Sequence, residues 1–229
     1  MIRFASPELY VPQDGSLKLH IDARAYRGDK AIDVSPAQNH GTITGAILKP
    51  GPTGQNVFSF DGVDDIITIT GHASLDTPTA LSVVAWLYDE VSNQNHSINK
   101  DDAGSNRCWI VQRETDTTVN FALWNSAGVI NQFYTAPNSW VMNKWFLCVC
   151  MAEVSGSNIL QEVYLDGIRA GTGSSFSGTA IKTITTQNIR IATPSNKKQR
   201  LGSVRIYNRA LSASEISAIY NAERHLYGR

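Results

Sequence analysis

The chain has 229 residues, and twenty Lys and Arg balance twenty Asp and Glu. That length suits one large domain with a sizeable core, and the neutral balance argues against a general grip on nucleic acid. Three cysteines are too few for a disulfide framework, and no run of apolar residues is long enough to span a membrane.

The opening MIRFASPELYVPQDG lacks a basic segment followed by an apolar run, so it does not read as a signal peptide. SLKLHID (16–22) alternates, with Leu17, Leu19 and Ile21 on one face and Ser16, Lys18 and His20 on the other. That is the pattern of a half-buried strand. DVSPAQNHGTITG (33–45) is rich in turn formers and reads as a long loop. VFSFDGVDDIITIT (57–70) holds two strands around a turn. Phe58 and Phe60 share a face on the first, Ile67 and Ile69 on the second, and Gly62 suits a bend with positive φ.

LSVVAWLY (81–88) is apolar on both faces, as expected of a central strand covered on each side. RCWIVQRE (107–114) and VNFALWN (119–125) read as neighbours. WFLCVCMA (145–152) and ILQEVYL (159–165) follow, the latter running into Asp166-Gly167, a type I′ hairpin signal. Cys148 and Cys150 lie on one strand face and form no C-x-x-C pair. Buried free thiols are therefore expected rather than a zinc or redox site, while pairing of Cys108 with either stays open. Further short strands are expected at 181–184, 188–192 and 201–207. The run Asn-Lys-Lys-Gln-Arg (196–200) reads as a solvated loop. Near the end, Ser212 and Glu215 form a capping box, and Ile216, Ile219 and Tyr220 fall on one helical stripe. A helix within 212–224 is predicted, docked through those three residues.

Many strands, polar turns and no strand–helix period point to an all-β fold. The expectation is one domain over 1–229, a sandwich of two antiparallel sheets with a short C-terminal helix. FSFDGVDDIITI, LSVVAWLY, VYLDGIRAG and VRIYNRALSASEISAIY, with LKLHIDARAYRGDKAIDVSPAQNHGTITGA upstream, resemble the laminin G-like domains of the concanavalin A-like lectin/glucanase superfamily. The likeness is to the bacterial and phage-encoded branch and runs from about Leu17 to Tyr220. It implies a jelly-roll sandwich, often with a structural calcium. Members often carry an acidic pair just before the last strand, where this chain has Gly202-Ser203.

Calcium wants hard oxygen ligands, and the candidates are Asp33, Asn39, Asp61, Asp64 and Asp65. The alternative for these groups is to cap turns. Asp101 and Asp102 form a lesser acidic pair, with an exposed loop as the default. His40, in the NHG stretch, is assigned a turn role. Glycoside hydrolysis needs two facing carboxylates, and glucanases similar to this sandwich carry E-x-D-x-x-E on one strand, a run that is absent here. Glu162 comes closest, with Tyr164 and Asp166 on its face, yet the turn needs Asp166. The five histidines show no ligand spacing, and neither G-x-S-x-G nor a phosphate loop is present. No catalytic residue is assigned, and hydrolase or lyase activity trails. Among five tryptophans, Trp86 and Trp145 sit in dense apolar runs and are assigned to the core. Trp124, Tyr134 and Trp140, in loop-like or strand-end contexts, are the glycan-stacking candidates.

Two functional readings follow. The first is a non-catalytic structural or decoration protein on a virion surface, contacting copies of itself or another shell protein, with glycans as a further contact. The alternative is a carbohydrate-binding module or lectin-like adhesin, extracellular or on a cell surface. The first is preferred because no route of secretion is visible. Neither reading calls for nucleic acid or a membrane.

Overall fold

The computed structural model of the chain describes residues 14–91, 95–114, 117–193 and 198–229, with backbone alone at 95 and 96. The opening stretch up to residue 13 and part of the basic run at 196–200 lie outside the described residues. The strands are β1 (Leu17–Asp22), β2 (Lys30–Ala31), β3 (Gly41–Thr44), β4 (Ile47–Pro50), β5 (Asn56–Phe60), β6 (Ile66–Ile69), β7 (Ala80–Asp89), β8 (Asn95–Lys100) and β9 (Trp109–Arg113). They continue with β10 (Val119–Trp124), β11 (Ile130–Tyr134), β12 (Trp145–Ser155), β13 (Asn158–Leu165), β14 (Ile168–Arg169), β15 (Ser174–Ser177), β16 (Ile189–Ile191) and β17 (Gln199–Tyr207). A helix, α1 (Ala213–Glu223), and a 3-10 turn (Arg224–Tyr227) close the chain.

The strands form two antiparallel sheets packed face to face, the jelly-roll sandwich expected from sequence. Sheet one runs β14-β13-β12-β7-β17-β5-β4, with β1 against β17 and β15 against β13. Sheet two runs β11-β10-β9-β8-β16-β6-β3-β2. The main core lies between them and includes Leu19, Ile21, Phe58, Ile67, Ile98, Phe121, Cys150 and Val204. All three cysteines are free and buried.

A second apolar cluster lies on the outer face of sheet one, where Trp86, Leu147, Val149 and Tyr207 meet α1. This explains why β7 is apolar on both faces. α1 begins as predicted: the Ser212 side chain accepts from the Glu215 N–H, and Glu215 answers at the Ser212 N–H. Ser82 fixes the approach, its hydroxyl donating to Arg209 O at 2.7 Å and accepting from Leu211 N at 3.1 Å. Ile216 and Ile219 are fully buried, each worth roughly 1.5–3 kcal/mol of apolar burial. Tyr220 stays half-exposed and stacks at 6.0 Å on Trp86. Among the described residues no helix is long and apolar enough to cross a membrane.

The structure corrects three readings and sharpens a fourth. Leu17 does not share a face with Leu19 and Ile21, because the register with β17 shifts between Leu17 and Leu19; Leu17 joins the outer cluster instead. The span 33–45 contains a strand, β3, which pairs with β6. β5 and β6 form as the two expected strands, and because they sit in different sheets the Asp61–Asp65 turn between them is a crossing. Residues 181–184 hold a single bridge, Asn125 to Ile181, and no strand. The Asp166-Gly167 turn is as expected, with φ of 51° and 83°.

Candidate functional site

The crossing from β5 to β6 gathers three of the predicted oxygen ligands. Gly62, at φ 85°, bends the chain. Asp61 Oδ1 accepts from Val63 N at 2.8 Å, and Asp65 Oδ2 accepts from Asp61 N at 2.7 Å. Gly45 closes in from the neighbouring turn, and a Cβ there would lie 2.0 Å from Asp65 Oδ1. Ligand oxygens of Asp61, Asp64 and Asp65 then lie within 4.8 Å of one another, a spacing that can hold a metal ion. Burial raises the Asp65 pKa, as do the charges of Asp61 and Asp64, against the lowering hydrogen bond from Asp61 N. A bound cation would relieve that repulsion.

Asp33 and Asn39 do not join this cluster. Asp33 is buried and accepts from His20 N, Ser35 N, Ser35 Oγ and Asn39 N, so it organises its own loop. The Asn39 amide donates to Lys18 O and Ser74 Oγ. His40 Nδ1 accepts from Asp33 N at 3.1 Å, the turn role assigned from sequence. Asp101 and Asp102 likewise cap the N–H groups of Ala103, Gly104 and Asn106. At Gly202 a Cβ would lie 2.2 Å from the Tyr227 ring. The place where relatives are expected to carry acids is therefore filled by an aromatic side chain.

The three aromatic candidates are not brought together. Trp140 is 5% exposed, stacked on Phe146 at 5.1 Å and covered by Arg113 at 4.7 Å. Its loop context suggested exposure, but these partners draw it into the main core. Trp124 is 7% exposed, packed with Ile110 and Ala122 on the outer face of sheet two beneath Arg107. Tyr134 is 48% exposed on the edge strand β11, opposite Asn120. Asn120 and Trp124 are four residues apart on β10, about 13 Å at the strand rise.

A different aromatic group lines a groove of about 510 Å³. It opens on the outer face of sheet one, beyond the end of α1. Register brings three of its lining residues together: Arg200 pairs Tyr88 and Tyr88 pairs Trp145. Trp145 lies 5.5 Å from Tyr88 and 4.9 Å from Tyr227, centroid to centroid. Arg200 lies over the Tyr88 ring at 5.0 Å, and its Nε donates to Glu90 Oε1 at 2.7 Å. Lys144, Asn143 and Arg229 stand on the rim, and Pro50-Gly51-Pro52 forms a wall. Through Glu90 the groove adjoins a hollow of about 260 Å³ that includes Asp61 and Asp65.

Sequence reasoning missed this groove. Trp86 and Tyr88 alternate onto one face in LSVVAWLY, which was the available signal. The pairing of Tyr88 with Arg200 and Trp145 was not visible, nor where the helical cover stops. The carboxylate first weighed for hydrolysis, Glu162, is engaged by Arg169 and by the Tyr164 hydroxyl. Asp166 accepts from Leu147 N and pairs with Arg229.

The model of the concanavalin A-like lectin/glucanases superfamily matches residues 61–217, and the chain belongs to that family. Solved structures share the fold at low identity. The binding domain of botulinum neurotoxin serotype D is 15% identical, with a TM-score of 0.71 over 91% of this chain and 52% of that one. The binding domain of botulinum neurotoxin DC, solved in complex with SialylT, is 14% identical, with a TM-score of 0.66 over 90% and 51%. Trypanosoma rangeli sialidase, solved with sialic acid, is 16% identical, with a TM-score of 0.66 over 97% and 36%. The chain thus spans about half the length of the toxin domains and about a third of the sialidase. No curated protein matches the sequence.

Proposed function

We propose that the chain is a non-catalytic carbohydrate-binding module that acts outside the cell or on a cell surface. The observation that carries this reading is the groove beside the half-buried Tyr88 ring, with Trp145 and Tyr227 packed beneath it and Arg200, Lys144 and Asn143 at its edge. Aromatic faces stack on the apolar face of a sugar ring, while amide and cationic donors take its oxygens. The likeness to toxin binding domains and to a sialidase supports it over the virion-surface expectation, which draws nothing from these relatives. Calcium at Asp61, Asp64 and Asp65 would brace the crossing next to the groove, at no catalytic step.

A glycan array followed by calorimetric titration tests the reading. Wild type should bind a defined glycan, and Tyr88→Ala should abolish that binding without unfolding the chain. Binding that survives Tyr88→Ala unchanged, or an array with no hit, would overturn it.

A further inference from the structure

Resting on that carbohydrate-binding reading, we propose that the groove selects acidic glycans, those bearing a carboxylate or a sulfate. The chain as a whole is neutral, with twenty basic and twenty acidic side chains. The groove departs from that balance. Lys144, Arg200 and Arg229 all line it, and no Asp or Glu does. The acids that partner two of these cations, Glu90 and Asp166, stand outside the lining.

The three cations are not equivalent. Arg229 is paired with Asp166, which is already the acceptor for Leu147 N. Arg200 is held in place twice, by Glu90 at Nε and by the Tyr88 ring beneath it. Among the described residues that leaves its two terminal nitrogens without a hydrogen-bonded partner, a planar fork suited to two oxygens of one anionic group. Its pose is fixed before any ligand arrives, so little ordering remains to be done on binding. Lys144 is exposed on the rim, and no carboxylate among the described residues forms an ion pair with it. A neutral sugar would use the Tyr88 ring and leave these donors to water. An acidic sugar uses both, in a concave site that focuses the field of its cations.

Titration calorimetry on the full chain is the test, with three probes: tetragalacturonate for carboxylate, a chondroitin sulfate hexasaccharide for sulfate, and cellohexaose as the uncharged control. At least one acidic probe should bind at least about tenfold more tightly than cellohexaose, the effect expected of one charge-assisted hydrogen bond. Which acidic probe binds identifies the anionic group. Lys144→Gln should weaken that probe by about tenfold and leave cellohexaose unchanged, and added salt should weaken the acidic probe only. Lys30→Gln, which removes the same charge from the opposite sheet, should change nothing. Cellohexaose bound as tightly as either acidic probe, with Lys144→Gln silent, would overturn the selectivity and leave the carbohydrate reading standing. If no probe binds, the selectivity falls, and the glycan array decides the broader reading separately.

Discussion

The outer face of sheet one presents nearly the same chemistry twice. In its middle, Trp86 stacks on Tyr227 at 4.2 Å, its Nε1 donates to Glu223 Oε2 at 2.8 Å, and Glu223 pairs with Arg205 at 2.5 Å. At its end, Tyr88 meets Trp145 and lies under Arg200, which pairs with Glu90 at 2.7 Å. The Arg205 and Glu223 side chains are 0% and 1% exposed, whereas Arg200 and Glu90 are each 27% exposed. Aromatic rings beside an Arg–Glu pair therefore do not define a role. The cover supplied by α1 and the 3-10 turn buries one set as a structural lock and leaves the other pair open to solvent.

Removing one acid from each pair separates the two regions most sharply. Glu223→Ala strands the Arg205 charge in the interior and leaves the Trp86 N–H without its acceptor. Loss of one partner of a buried pair costs about 3–5 kcal/mol, read as a lower urea midpoint. A decrease below 1 kcal/mol would mean that the covered region is not a lock.

Acid is next in size. His20 sits opposite Arg205 in the β1–β17 register. Burial, then the Arg205 charge, hold its pKa down to about 3. The unfolded chain takes up that proton near 6.5. The unfolded state therefore binds more protons as pH falls from about 6.5 toward 3, and stability falls with it. Urea midpoints should drop between pH 7 and 5, and His20→Gln should flatten that part of the profile. An equal slope in the variant would remove His20 as the cause.

Ser212→Ala removes the cap that starts the cover, at roughly 0.5–2 kcal/mol. The same variant should leave glycan binding intact, since Ser212 does not line the groove. Smallest of all, Glu90→Ala should change stability by about 0–1 kcal/mol, as exposed pairs do. A larger loss would show that the open end is also a structural lock.

Much of the covered region was legible in the sequence, because its signals are local. The Ser212–Glu215 box, the Ile216 and Ile219 stripe and the two-faced apolar run of β7 each lie within one short stretch. The Asp166-Gly167 turn and the turn that carries Asp61, Asp64 and Asp65 are equally local. The open groove was not legible, because it is made by register among β4, β5, β17, β7 and β12, which are far apart in the chain. Trp145 and Trp140 show where local context works and where it fails. Trp145 stands in an apolar run and is buried as assigned; Trp140 stands in a polar loop and is just as buried, drawn under Arg113. The Leu17 shift is a one-residue irregularity that period-2 alternation cannot reveal.

The most direct test is a crystal structure of the chain with its bound oligosaccharide. The sugar should stack against Tyr88, within hydrogen-bond reach of Arg200 or Lys144. A sugar seated instead at Tyr134 on sheet two, with the Tyr88 groove empty, would contradict the account.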